Sequence, residues 1–311
     1  MTAYCLRRIL AAIPTALGVA TVVFLLIHLI PGDPIEVMLG ETATIADRET
    51  LRAGLGLDRP LFEQYADYMA GLLRNDLGTS IHSGRQVSAI LLERLPATLE
   101  LSLVALAFAV AISIPLGLVS AKRAGHAVDR ASMVASLAAV ALPNFWLGPL
   151  LVMLFSIELG WLPVSGRGGW SHLLLPAFTL GASMAGILTR MTRASVLETV
   201  GEEYIRTARA KGASEVTVFA KHALRNALTP VLSLVGLQLG GLLAGSVITE
   251  TIFAWPGLGR LTLEAIETRD YPVVQGCVLL IALTYVLINL MTDIAYAWVN
   301  PKIRYAGRHD E

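Results

Sequence analysis

Six stretches of this 311-residue chain hold almost no charge, and the charged residues crowd between them. The first, Ile9 to Ile30, contains no Asp, Glu, Lys or Arg. As a helix rising about 1.5 Å per residue it measures roughly 33 Å, enough for a hydrocarbon core about 30 Å thick. Stretches of the same character cover residues 97–120, 131–157, 173–189, 229–249 and 273–298. Each reads as a transmembrane helix, so the pattern predicts an all-α polytopic membrane protein of six spans. The fourth is the shortest: Gly181 and Gly186 interrupt it, Arg190 follows at once, and it gains length only by extending back through Pro176. Arg7 and Arg8 before the first run imitate a signal peptide, but the run is too long and "HLIPGDP" offers no small-x-small cleavage site, which predicts an uncleaved first span.

The polar intervals carry their own helical patterns. In the loop 31–94, "PLFEQYADYMAGLLRN" places Leu61, Phe62, Tyr65, Met69, Leu72 and Leu73 on one stripe, with Pro60 suited to a first-turn position. A loop of this size cannot bury such a stripe alone, so a lid on the outer helix ends is expected, either as a structural cap or as a docking surface. The interval 190–228 predicts two short helices. Glu203 to Lys211 favours helix, Gly212 is a C′ residue, and Ser214 caps a second helix with Glu215 in its first turn. Val216, Phe219, Ala220, Ala223, Leu224 and Ala227 then form its apolar face, before Thr229 and Pro230 open the fifth span as N-cap and first-turn proline. Three uses of this basic helix pair stay open on the residues alone: lying in anionic headgroups, gating a channel, or presenting a rigid knob to a soluble partner.

Composition sharpens the frame. The chain is 55% hydrophobic and 15% charged, with mean hydropathy +0.63 and no formal net charge, which removes the electrostatic case for a nucleic-acid partner. With a cytoplasmic N-terminus, the inside segments 1–8, 121–130, 190–228 and 299–311 hold 15 of the 24 basic residues. The short outside loops 158–172 and 250–272 hold only Arg167, Arg260 and Arg269. Both termini are therefore expected in the cytoplasm. Cys5 and Cys277 fall at opposite faces, and the six histidines show no metal-ligand spacing, so neither a disulfide nor a metal site is expected. None of the four lysines follows a glycine, as a P-loop requires, and no GxSxG or HExxH is present. An enzyme acting by itself is not expected.

Charges at membrane depth, Glu100 and Asp293 within apolar runs, are candidates for a transport path or for a structural pairing or interfacial role, while Glu250 and Arg260 flank the outer mouth around "ETIFAWPGLGR" as candidate contacts for substrate or a delivering protein. Asn144, after Pro143 in "LPNFW", is a further pathway candidate that would soften the third helix, with a packing kink as the alternative.

The interval 190–228 resembles the EAA loop of bacterial ABC importer permeases, in the variant of the dipeptide/oligopeptide/nickel family, through "EYIRTARAKG" and "KHALRNAL". Further matches occur in order along nearly the whole chain: "IPGDP", "GLDRPLFEQY", "LGTS", "RLPATLELSL", "ITETIFAWPGLGRL" and "DIAYAWVNPKIRY". The broader pattern has Glu-Ala-Ala, three residues, then Gly. Anchored on Gly212, this chain has Arg206, Thr207 and Ala208 there, so only Ala208 and Gly212 match, and Glu203, one turn earlier, is the candidate substitute for the glutamate.

The resemblance implies a single permease domain over 1–311 with the type I ABC importer architecture, in the bacterial cytoplasmic (inner) membrane. It implies that Glu203, Arg206, Thr207, Ala208, Arg209, Ala210, Lys211, Gly212, Ala213 and Ser214 couple to an ATPase, and that ATP is used by partner subunits while this chain binds no cofactor. Implied partners are a second, similar but non-identical permease, two cytoplasmic ATPases, an extracytoplasmic solute-binding protein and membrane lipid. Short peptides are the expected substrate, with nickel or a metal chelate and glutathione as alternatives. A secondary transporter or channel is the competing class, which paired intramembrane carboxylates or inverted repeats would mark.

Overall fold

A computed structural model describes residues 2–28, 35, 39, 44–54 and 58–299. Its helices are α1 (Thr2–His28), α2 (Ile45–Gly54), α3 (Leu61–Leu73), α4 (Val87–Lys122), α5 (Ala127–Ala141), α6 (Asn144–Leu151, continued as a π-helix over Val152–Glu158), α7 (Trp170–Val200), α8 (Glu203–Ala210), α9 (Glu215–Thr217, continued as a π-helix over Val218–Ala223), α10 (Leu224–Ile252), α11 (Leu258–Glu267) and α12 (Tyr271–Val299). Among the described residues there is no strand, only the isolated bridge Thr79–Gln86. Four helices are long and apolar enough to cross a bilayer alone, and counting each of two bent helix pairs as one span brings the number to six. The chain divides into two compact units, one of residues 1–5, 99–255 and 288–311, the other of 6–98 and 256–287.

The first unit is built around α7. Leu173, Leu175, Leu180, Met184, Leu188 and Val196 are all buried, because α5 and α10 pack along this helix. In a membrane there is no hydrophobic drive between helices, so close approach through small residues has to supply the contact. The glycines do this: a Cβ on Gly181 would stand 2.7 Å from the Ala105 carbonyl oxygen, one on Gly186 2.5 Å from that of Ser136, and one on Gly117 2.6 Å from Thr192 Cβ. The helix runs from 170 to 200, through Pro176 and past Arg190, where the apolar pattern predicted only 173–189. Its packed face, not its hydropathy, carries it through both interruptions.

The stretch 131–157 is not one helix. Its two halves, Ala127–Ala141 and Asn144–Glu158, meet at 105°. The break follows from Pro143, which lacks an N–H and forces the preceding residue out of helical geometry; Leu142 accordingly has φ −80 and ψ 116. The kink expected at Asn144 is thus a break that turns the chain through slightly more than a right angle. Two further expectations shift. Pro230 lies inside α10 and Thr229 is no N-cap, since helix is already running from Leu224. Beyond the fifth apolar run, 258–267 forms a helix that the pattern did not indicate.

In the second unit, α1 packs on α3 and α12 through Ala20, Val23, Leu279, Tyr68, Met69 and Leu72. Thr21 Oγ1 lies 2.8 Å from the Tyr65 hydroxyl, and Gln275 Nε2 donates to the Val23 carbonyl at 2.9 Å. The α3 stripe is therefore divided: Tyr65, Met69 and Leu72 face inward, joined by Tyr68 from outside the stripe, while Leu61, Phe62 and Leu73 are exposed. Pro60 stands at the N-cap, one position ahead of the first turn. A second cluster joins Val87, Leu91, Leu258, Leu261, Val273 and Cys277. Buried Asp270 fastens the 78–86 turn, accepting from the Ser80 hydroxyl at 2.5 Å and the Ile81 N–H at 3.3 Å. The "IPGDP" match, residues 30–34, lies outside the described residues.

Candidate functional site

The basic stretch folds as a helix, a turn and a second helix at the ends of α4, α7 and α10. Glu202 caps α8 in extended geometry, and Glu203 in the first turn meets the positive end of the helix dipole. The helix stops at Ala210, because Gly212 takes φ +83, a conformation that costs a residue with a Cβ about 1 kcal/mol or more. The Ala213 N–H then bonds back to the Ala208 carbonyl at 3.1 Å, and Ser214 Oγ accepts from the Thr217 N–H at 3.3 Å to start the next helix. Arg209 forks onto Glu215 across the turn at 2.8 and 3.2 Å. That carboxylate raises the Arg209 guanidinium above its ordinary value, so the fork stays charged across the physiological range.

One face of this hairpin is anchored and the other is free. Ile205, Val218, Phe219, Ala223 and Ala227 are buried together with Ala121 and Val196. The Asn226 amide donates to the Tyr204 hydroxyl at 2.6 Å. Val216, expected on the apolar face, is exposed, and Val218 occupies the buried place. The π-helix over 218–223 explains this, because its wider turn re-phases a periodicity counted at 3.6 residues. Glu203, Arg206, Thr207, Arg209, Ala210, Lys211, Gly212 and Ser214 are exposed; Ala208 and Ala213 are half-buried. Glu203 pairs with Arg206 at 2.8 Å. The result is a helix–turn–helix knob standing on an apolar base, with Arg206 and Arg209 each paired to a carboxylate of the hairpin itself.

The membrane-depth candidates are placed one by one. Glu100 is paired: Arg167 Nε and Nη2 donate to its Oε2 at 3.0 and 2.6 Å, and the same guanidinium lies 5.8 Å from the ring centre of buried Trp255. Arg260 bonds Glu264 one turn on at 2.7 Å. Glu250 is fully buried near the end of α10, Asp293 is half-buried in α12, and Asn144 opens α6 immediately after the break. Among the described residues no group of His, Cys, Asp or Glu is arranged to hold a metal ion.

Two residues outside the expected set form a densely bonded polar cluster in this unit. Arg193 Nε and Nη2 donate to Asp129 Oδ1 and Oδ2 at 2.6 and 2.8 Å. The Ser120 hydroxyl and the Gly125 N–H complete the carboxylate's shell at 2.5 and 2.8 Å. Asp129 is 4% exposed. A lone Asp three residues after "GH" and before an apolar helix was the available signal, but with Arg193 counted only toward topology nothing joined the two.

A helical, polytopic chain with a basic knob held on its apolar helix ends is the form of a membrane permease subunit. The chain belongs to the family of inner membrane components of binding-protein-dependent transport systems, whose model matches residues 113–305, with the N-terminal model of the same systems matching 1–102. It is 44% identical to the glutathione transport system permease protein GsiC of Escherichia coli strain K12, over 98% of this chain and all of that protein. It is 46% identical, with the same coverage, to the protein of that name from Pectobacterium atrosepticum. Among solved structures it resembles a chain of the inward-facing MetNI methionine ABC transporter, with TM-score 0.56, 21% identity, and coverage of 68% of this chain and 96% of that one. The resemblance read from the motifs therefore holds: this is an ABC importer permease subunit of the inner membrane.

Proposed function

We propose that this chain is one of two membrane halves of an ATP-driven importer for short peptides, with glutathione the foremost substrate. The observation that carries the substrate class is 44–46% identity, along essentially the full length, to permeases named for glutathione transport. Glutathione is itself a tripeptide, so this reading stays within the expected substrate class and moves one of its alternatives to the front. In this reading a second permease completes the path, two ATPase subunits hydrolyse ATP, and an extracytoplasmic binding protein delivers the substrate. The hairpin 203–214 is the coupling element. Its exposed Arg206, Arg209 and Lys211 meet acidic groups of the ATPase, and its buried Ile205 and Phe219 pass the motion into the helix ends.

The test is uptake into proteoliposomes containing the purified complex, with labelled glutathione, a labelled dipeptide and nickel supplied separately in the presence of the binding protein. Uptake of glutathione that needs ATP, the ATPase and the binding protein supports the proposal. ATP-dependent uptake of the dipeptide or nickel alone would remove the substrate assignment. Ion-gradient-driven uptake by this chain alone would remove the importer reading.

A further inference from the structure

We propose that the Asp129–Arg193 ion pair is a positioning clasp, through which displacement of the 203–214 hairpin reaches the broken helix pair α5–α6. The inference rests on the coupling role proposed above for that hairpin.

The geometry is specific. Arg193 lies three residues before Val196, which is buried in the apolar base of the hairpin together with Ala121, Ile205 and Phe219. Asp129 is in the first turn of α5, and the Ser120 hydroxyl that bonds it belongs to α4, next to Ala121 of that same base. One carboxylate thus ties the ends of α4, α5 and α7 together at the level where the hairpin stands. Farther along, α5 follows α7 closely: Ser132 and Ser136 are buried, and a Cβ on Gly186 would come within 2.5 Å of the Ser136 carbonyl oxygen. The paired stretch ends at the 105° bend after Ala141. Beyond it, Gly148 of α6 sits close to Ile252 and Phe253 at the far end of α10. A movement entering at the hairpin is carried by α7 and, through the clasp, by α5; the bend is where it changes direction.

Adhesion alone does not account for such a pair. Burying the Asp129 carboxylate against a partly exposed guanidinium carries a desolvation cost that their attraction often fails to exceed, so an apolar contact would hold these helices as well. A forked guanidinium–carboxylate pair instead fixes relative orientation, because both bonds survive in only one arrangement. Two further donors, Ser120 and Gly125, leave the carboxylate little freedom to follow Arg193 elsewhere.

The test uses the complete permease–ATPase complex in proteoliposomes with its binding protein and labelled glutathione. Asp129→Asn, Arg193→Gln, Arg193→Lys and Ser120→Ala are compared for ATPase co-purification, melting temperature, and ATP hydrolysed per glutathione imported. Asp129→Asn and Arg193→Gln are expected to keep the ATPase bound while raising that ratio at least tenfold, with Arg193→Lys intermediate and Ser120→Ala about threefold. Should the two strong variants fail to accumulate, Ser120→Ala and Arg193→Lys carry the decision by the same ratio. Variants that melt earlier but retain the wild-type ratio would overturn the proposal and leave the pair a structural tie. A wild-type complex that hydrolyses no ATP during import would instead overturn the importer reading, so the two failures are distinct.

Discussion

Substituting Gly186 by Ala sets two opposed effects against each other, and the structure decides between them. In a helix interior Ala is favoured over Gly by about 1 kcal/mol, so an open site would gain stability. At Gly186 the added carbon would lie 2.5 Å from the Ser136 carbonyl oxygen and 3.0 Å from Val140 Cγ2. A carbon–oxygen contact normally relaxes at about 3.3 Å, leaving a shortfall of about 0.8 Å. The carbonyl is part of α5 and cannot retreat by itself, so one helix must shift against the other; overpacking of this kind costs about 1–3 kcal/mol. The net expectation for Gly186→Ala is a loss of roughly 0–2 kcal/mol, with Gly186→Val worse. Gly18, with nothing within 4 Å of its added Cβ, is the matched control and is expected to gain up to about 1 kcal/mol on Gly18→Ala. Thermal melts of the purified chain followed by tryptophan fluorescence report both. Equal stabilisation by the two substitutions would refute the close α5–α7 contact.

Other consequences are open to the same melts. Ser214→Ala removes the N-cap acceptor of α9 and is expected to cost about 1 kcal/mol, with faster hydrogen exchange at the Thr217 amide. Ala254 holds φ +47, so Ala254→Gly is expected to raise the melting temperature by relieving about 1 kcal/mol of backbone strain; a fall would contradict that geometry. A double-mutant cycle of Glu100→Gln and Arg167→Gln should give a coupling of about 0.5–1 kcal/mol, because both side chains are about a third exposed and solvent screens them. The Tyr68 hydroxyl is buried without a hydrogen-bond partner among the described residues, and burial pushes its pKa up to about 12. Tyr68→Phe should therefore be neutral or stabilising by about 1 kcal/mol, and a clear destabilisation would mean the hydroxyl is engaged.

What the sequence made legible was whatever depends on one segment at a time. Hydrophobic runs long enough for a bilayer, Gly212 ending a helix and Ser214 starting another are local properties, and each has its counterpart in the structure. Pro143 was visible too, but its effect was underestimated, since the size of a bend depends on what the two arms then pack against. The shift from Val216 to Val218 escaped because a π-helix has no compositional mark. The Asp129–Arg193 pair escaped for a different reason: its members are separated by 64 positions, and neither is unusual at its own place in the chain. Glu100 shows the converse. It was conspicuous as an intramembrane acid, while its partner Arg167, in a loop counted only for topology, was not.

That an ATPase subunit holds the exposed face of residues 203–214 is the proposal on which the rest depends. It is tested most directly by placing a photo-crosslinking amino acid at Arg206, Thr207 or Lys211 in membranes where the complete transporter is assembled and hydrolysing ATP. Crosslinks to the ATPase subunit that change in yield when ATP hydrolysis is blocked are expected. Crosslinks to phospholipid alone, in membranes with the ATPase present and active, would contradict it.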